Sequence, residues 1–222
     1  MEHSKYHRTY HLHFSKGVQS DDKIIQDLSG FEGKQVCVLE KLDGECTSIY
    51  KDGYHARSLD SQFNWTRSWI AQMQSILSHD LPDDLILRGE NVFAEHSVRY
   101  PDNSLEGYFY LFGIHTHKNG KLFSLSYEEV LEWAELLDLP TPKCFYQGVF
   151  DLEKIKSIAN NLDTNKVEGF VVRTMDGFFV EDSHKYMAKY VRENHVQTDV
   201  HWLVNAQQNG KLKDTVKPYY MK

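Results

Sequence analysis

The stretch Glu40-Lys41-Leu42-Asp43-Gly44-Glu45 sets one lysine among three carboxylates, between two segments with strand character. Upstream, Val36 to Leu39 is a short apolar run. Downstream, Cys46 to Tyr50, then Lys51-Asp52-Gly53, then Tyr54 to Ser58 read as strand, turn, strand, with Asp-Gly supplying the turn. A lysine amine is a nucleophile only once it has lost its proton, against a reference pKa of about 10.4. Burial near a strand end, or a nearby cation such as Mg²⁺ or a second lysine, favours the neutral amine; the carboxylates favour the charged one. A nucleophilic Lys41 therefore needs a metal or a cationic partner. Gly44 permits a tight backbone path close to a ligand. The pattern KxDG is short, and a charged turn on a solvated hairpin fits the same residues.

Outward from this stretch, helical spacing and strand-like runs alternate. Trp69, Ile70, Met73, Ile76 and Leu77 recur at helical spacing, with Pro82 beyond the end. Leu85 to Leu87 reads as a buried strand and Tyr108 to Ile114 as an aromatic one. Ser126 and Glu129 form a capping box ahead of Val130, Leu131, Trp133, Ala134 and Leu137, so a helix ends near Pro140. Asp151 opens a short helix through Ile155 and Ile158. Gly169 to Arg173 and Phe178 to Val180 flank Met175-Asp176-Gly177 as a second hairpin, and Thr198 to Ala206 is weakly helical. Interleaved helices and hairpins predict an α+β domain with largely antiparallel sheets.

Bulk properties narrow the classes. The 222 residues suffice for one sizeable core, and 41% hydrophobic with 26% charged residues is a globular balance. No apolar run approaches the roughly 18 residues of a membrane span, and Met1 to Lys16 lacks a signal-peptide core. Cys37, Cys46 and Cys144 are odd in number without CxxC spacing, which suits a reducing compartment, with the cytoplasm as the expected location. The net charge of −7 argues against a protein that passively coats nucleic acid, though an acidic enzyme can still carry a basic cleft.

KLDG resembles the nucleotide-attachment motif KxDG of the covalent nucleotidyltransferases, which include DNA ligases, RNA ligases and mRNA capping enzymes. The other motifs follow in order. His55-Ala56-Arg57-Ser58 resembles the arginine-bearing element, and Arg88-Gly89-Glu90-Asn91-Val92-Phe93 the third motif. Tyr110 to Ile114 is similar to the strand that stacks on the base, Val167 to Arg173 to the fourth motif, and Lys185 to Arg192 to the fifth. The resemblance spans residues 36 to 192 and is nearest to ATP-dependent RNA ligases of the second phage RNA ligase type. It implies an ATP-grasp-like ligase domain over residues 1–195 and a short helical, basic tail over 196–222, with no OB-fold domain.

The resemblance also implies roles. Lys41 carries AMP, and Glu40 belongs to the nucleotide site. Glu90 accepts hydrogen bonds from ribose hydroxyls. Phe112 stacks on adenine. Glu168, with Glu90, holds Mg²⁺ or Mn²⁺ against phosphate oxygens. Lys189 offsets charge on the α-phosphate, with Lys185 as an assistant. The family often carries a second lysine two residues before this one, where Met187 stands. Arg57 reaches ribose, phosphate or the nucleic-acid end through its planar fork, and Arg192 is a further strand contact. Arg8, Arg67 and Arg99 are weaker candidates. Each residue also has a plain alternative: a solvated carboxylate, a core aromatic, a surface charge.

The implied substrates are ATP and RNA ends bearing a 5′-phosphate and a 3′-hydroxyl, RNA/DNA hybrids included. An end-healing kinase or phosphatase is an expected partner, and a membrane is not. A DNA nick ligase, a GTP-using capping enzyme and a non-catalytic nucleotide-binding or RNA-binding relative are the rivals. About 30 residues follow Arg192, too few for the OB barrel that capping enzymes and DNA ligases usually carry. His11-Leu12-His13 and His115-Thr116-His117 lack a third ligand nearby and read as surface histidines. Neither a P-loop nor GxGxxG is present.

Overall fold

The computed structural model describes residues 2–61, 64–193 and 206–216. Among these residues, eleven strands form two sheets. The first is built from β1 (Tyr10–His11), β2 (Gln35–Lys41), β8 (Cys144–Val149), β9 (Gly169–Thr174) and β11 (Met187–Val191), in the order β1-β11-β9-β2-β8. The second takes β3 (Glu45–Tyr50), β4 (Gly53–His55), β5 (Ile86–Asn91), β6 (Phe109–Lys118), β7 (Lys121–Ser124) and β10 (Phe178–Phe179), in the order β10-β7-β6-β5-β3-β4. Every strand pair is antiparallel except β1 with β11. This is the α+β architecture that the alternating hairpins predict, and no OB barrel occurs among the described residues.

There are two apolar cores: one spans the second sheet together with Cys37 and Leu39 of β2, and the other takes Val36 and Val38 of the same strand. Val36 to Leu39 in β2 are buried without alternation, because both faces of that strand are covered. Against the second sheet pack α1 (Ser68–Leu77), through Trp69, Ile70, Met73 and Leu77, and α2 (Tyr127–Leu136), through Tyr127, Val130 and Ala134. Both halves of the Ser126–Glu129 capping box are made. The first sheet packs on α3 (Leu152–Asn160) through Ile155 and Ala159, with Leu12, Ile25 and Phe31 supplied from the N-terminal segment. Asp151 caps α3 by accepting from Lys154 N at 3.1 Å. Fully burying a side chain such as Ile70 contributes roughly 1.5–3 kcal/mol.

Met175-Asp176-Gly177 is not a hairpin turn. β9 pairs with β2 and β11, whereas β10 pairs with β7, so the chain crosses here from one sheet to the other. Hairpins are closed instead at Lys51-Asp52-Gly53, which joins β3 to β4, and at Asn119-Gly120, where both residues have positive φ (54° and 75°) and join β6 to β7. His11 and His115 are buried, not surface residues: each lies beside ordered polar neighbours, Ser15 for His11 and Arg88 for His115. His13 and His117 are exposed. The expected helix from Thr198 to Ala206 falls mostly outside the described residues. Past it, Asn209 donates to Val92 O and Ala94 O, and Leu212 bridges to Leu105, so residues 206–216 lie against the second sheet.

Candidate active site

Lys41 is the last residue of β2, opposite Gly169 at the start of β9, so the residue before that start, Glu168, stands beside it. Lys41 Nζ donates to Glu168 Oε2 at 2.6 Å; Glu168 is fully buried, while a quarter of the lysine side chain reaches solvent. The chain then turns through Leu42-Asp43-Gly44 into the other sheet. Asp43 is buried and ties down the neighbouring loop, accepting from Ser97 Oγ (2.7 Å) and Val98 N (2.6 Å) while its own N–H donates to Tyr100 Oη (2.9 Å). Gly44 N donates to Glu90 Oε1 at 3.2 Å, which links the lysine loop to β5.

Electrostatics follow from this crowding. Burial alone would lower the Lys41 pKa, but Glu168, then Glu90 and Asp43, outweigh it and hold the amine above the usual lysine range. Burial pushes Glu90 up to about 8, with Glu168 and Asp43 acting in the same direction and Lys41 against it. Lys189, on β11 opposite Val171, is shifted the other way: burial and Lys41 lower it, Asp22 and Glu168 raise it, and the net is downward. Its Nζ lies 3.8 Å from Asp22 Oδ1.

The remaining candidates divide into near and far. Phe112 is the extra residue where β6 slips its register against Arg88 and Gly89, and its half-buried ring meets Tyr6 edge-on at 5.3 Å. Arg57 is exposed just past β4, and its charge is felt at Lys189 and Cys46. Arg192 N donates to Glu168 O at 2.9 Å, and its guanidinium reaches Ser97 Oγ at 3.4 Å. Glu40 is half-buried beside Lys143, and burial raises its pKa. Lys185 stands apart, in the short helix α4 (Ser183–Tyr186), paired with Asp182 at 2.6 Å. Arg67 is bound bidentately by Glu45, Arg8 pairs with Asp21, and Arg99 lies near Glu95.

Two features had no legible signal. Tyr6 reaches from sheet to sheet, its hydroxyl donating to Met187 Sδ at 3.5 Å, with Thr9 Oγ1 on the same sulfur at 3.7 Å. Arg88 is wholly buried and donates to Ser4 O, Ser4 Oγ and His115 Nδ1. The N-terminal segment thus runs between the sheets and covers Met187.

Among the described residues, no group of three or more His, Cys, Asp or Glu converges as a metal cage. Glu90 and Glu168 do flank Lys41, and paired carboxylates fit a hard cation that shares phosphate oxygens with a bound nucleotide. No helix among the described residues is long and apolar enough to cross a membrane.

The RNA ligase family matches residues 34–191, and the chain belongs to that family. Among curated proteins none matches it in sequence. Its fold is similar to an RNA ligase of Naegleria gruberi, an apo alanine variant, at TM-score 0.54 and 19% identity over 86% of this chain and 61% of that one. It is similar to an archaeal ATP-dependent RNA ligase at TM-score 0.53 and 19% identity, over 74% and 44% of the two chains. A protein of Aquifex aeolicus described as an ATP-dependent DNA ligase shares the fold at TM-score 0.50 and 24% identity, over 74% and 45%. The chain therefore spans less than two thirds of each of these relatives.

Proposed function

We propose that this chain is an ATP-dependent RNA ligase that joins a 5′-phosphate to a 3′-hydroxyl through a covalent lysyl-AMP. The observation that carries the reading is the convergence of Lys41, Glu168, Glu90 and Lys189 from β2, the start of β9, β5 and β11. Lys41 Nζ attacks the α-phosphorus of ATP and pyrophosphate leaves. AMP passes to the 5′-phosphate end, and the 3′-hydroxyl then attacks that activated end, releasing AMP. Glu168 pairs with the Lys41 ammonium at rest and helps hold the metal, whose charge would favour loss of the Lys41 proton to solvent; Lys189 faces the α-phosphate, Glu90 meets the ribose or the metal, and Phe112 stacks on adenine. Glu40, Lys41, Arg57, Glu90, Phe112 and Lys189 form the nucleotide site in this reading, and Arg57 and Arg192 meet the strand. Mg²⁺ or Mn²⁺ held by Glu90 and Glu168 would neutralise phosphate charge. Solved Naegleria gruberi RNA ligase variants with ATP and Mn support a nucleotide and a divalent metal here.

The test is incubation with α-labelled ATP followed by denaturing electrophoresis. An acid-labile, alkali-stable adduct that vanishes in Lys41→Ala supports the reading; undiminished label on that variant ends it. GTP labelling equal to ATP would favour capping chemistry, and no label with retained nucleotide binding would favour a non-catalytic relative. The Aquifex aeolicus neighbour keeps a DNA nick ligase as the second reading.

A further inference from the structure

The segment ahead of β2 brings two titratable side chains against Lys189. β1 runs parallel to β11 with His11 opposite Lys189. The chain then loops back, so that His11 N donates to Lys23 O (2.7 Å) and Ile25 N to His11 O (2.8 Å). That loop carries Asp22 to a point between the two: Oδ1 is 3.8 Å from Lys189 Nζ, and Oδ2 is 3.1 Å from His11 Nε2. Asp22 Oδ2 also accepts from Gln19 N at 3.1 Å. The imidazole is held at its other nitrogen, with Nδ1 2.8 Å from Ser15 Oγ, and that oxygen accepts from Val191 N at 2.9 Å. The contacts begin and end on β11, running Val191, Ser15, His11, Asp22, Lys189.

Charge makes this circuit more than packing. The Lys189 side chain is 13% exposed, and an ammonium so placed has lost most of its water. Lys41 repels it and Arg57 adds to the repulsion, whereas Asp22 and Glu168 attract it. His11 stays neutral, since burial, then Lys189, depress it to about 4 against the pull of Asp22. A charged imidazole would cancel much of the carboxylate's field; a neutral one steadies Asp22 and leaves its full charge to Lys189. Burial opposes ionisation of Asp22, but the Gln19 N–H and then Lys189 outweigh it and hold the carboxyl below its usual range.

We propose that Asp22, backed by His11 and Ser15, is a positioning residue that aims the Lys189 ammonium at the α-phosphate during nucleotide transfer to Lys41. This rests on the ligase reading above. A lysine ammonium ends a flexible four-carbon stem, so its direction must be imposed from outside. A misplaced charge at a reacting phosphate can cost about 10²-fold in rate.

The experiment is single-turnover adduct formation with saturating labelled ATP, in wild type, Asp22→Asn, Asp22→Glu, His11→Gln, Lys189→Met and the double variant Asp22→Asn/Lys189→Met. Asp22→Asn is near-isosteric and can still accept from Gln19 N, so the loop has little reason to unfold. The expected result is a loss of about 10²-fold in Asp22→Asn, most of it restored in Asp22→Glu, and no added loss when Asp22→Asn is placed on Lys189→Met. His11→Gln should show a smaller loss. Multiplying losses in the double variant, or a full rate in Asp22→Asn, would overturn the proposal. Should Asp22→Asn fail to fold, His11→Gln combined with Lys189→Met decides by the same comparison. A wild-type protein that forms no adduct sinks the ligase reading itself; a labelled wild type with multiplying losses sinks only the role of Asp22.

Discussion

Lys41 Nζ and Glu168 Oε2 lie 2.6 Å apart, so the proposed nucleophile starts as the cation of a half-buried ion pair. The attraction of Glu168, Glu90 and Asp43 outweighs burial, and the amine keeps its proton at neutral pH. Positive charge must therefore reach those carboxylates before Lys41 can attack. Adduct formation should be lost on adding a chelator and restored by Mg²⁺ or Mn²⁺, as read from label on the protein. Full labelling without any divalent cation would contradict this.

Lys185 is not expected to act on the nucleotide. Its exposed pair with Asp182 is a surface contact screened by solvent. Lys185→Ala should keep wild-type label within about twofold and leave thermal melting close to that of the wild type. Met187→Lys should not supply the missing cation either. It buries an ammonium where Tyr6 Oη and Thr9 Oγ1 now meet sulfur, and thermal melting should fall. A Met187→Lys protein with unchanged melting and faster labelling would refute this account.

Gly44 is required by the neighbouring strand rather than by an unusual φ. A Cβ there would stand 2.5 Å from Asn91 O. Gly44→Ala should cost about 1–3 kcal/mol by overpacking, and should also disturb the Gly44 N to Glu90 bond. Urea unfolding measures the first effect and adduct formation the second.

The N-terminal histidine His7 should set part of the acid limit of stability. Burial, then Arg88 and Arg173, lower its pKa to about 3 from 6.5. It packs on His115, which is lowered in the same direction by burial and Arg88. The unfolded chain binds more protons between those values, so this contribution is present above about pH 6.5 and lost as pH falls toward 3. His7→Phe should flatten the acid limb of a stability profile; an unaltered limb would assign acid unfolding to other groups.

The polymer preference is open to a direct measurement. Of four nicked duplexes with RNA or DNA on each side, those with RNA at the 3′-hydroxyl side should be sealed best. A terminal 2′-hydroxyl both donates and accepts, and a site built for it can reject the deoxy end by up to about 10⁴-fold. Arg57, exposed beside the site, is the candidate sensor. Equal sealing of deoxy and ribo ends would favour a DNA ligase.

Much of this was legible because the informative residues are local in sequence. Val36 to Leu39, the Lys51-Asp52-Gly53 turn, the Ser126 box and the Asp151 cap each carry their own signal and each forms its element. Met175-Asp176-Gly177 misled because a turn dipeptide says where a chain bends, not which strand receives it. Asn119-Gly120 carried the stronger hairpin signal. Asp22, His11 and Tyr6 were silent because their partners, Lys189 and Met187, lie more than a hundred residues away and only strand pairing brings them together. Buried His11 looks, in sequence, no different from exposed His13.

The short strand β1 has a consequence for how the chain can be handled. It covers one margin of the first sheet by pairing with β11. A fragment trimmed to the family-matched span, residues 34–191, would strip that cover and leave β11 with a bare row of backbone donors and acceptors beside exposed apolar side chains. Such an edge is a template for other chains, so the trimmed fragment should self-associate in solution.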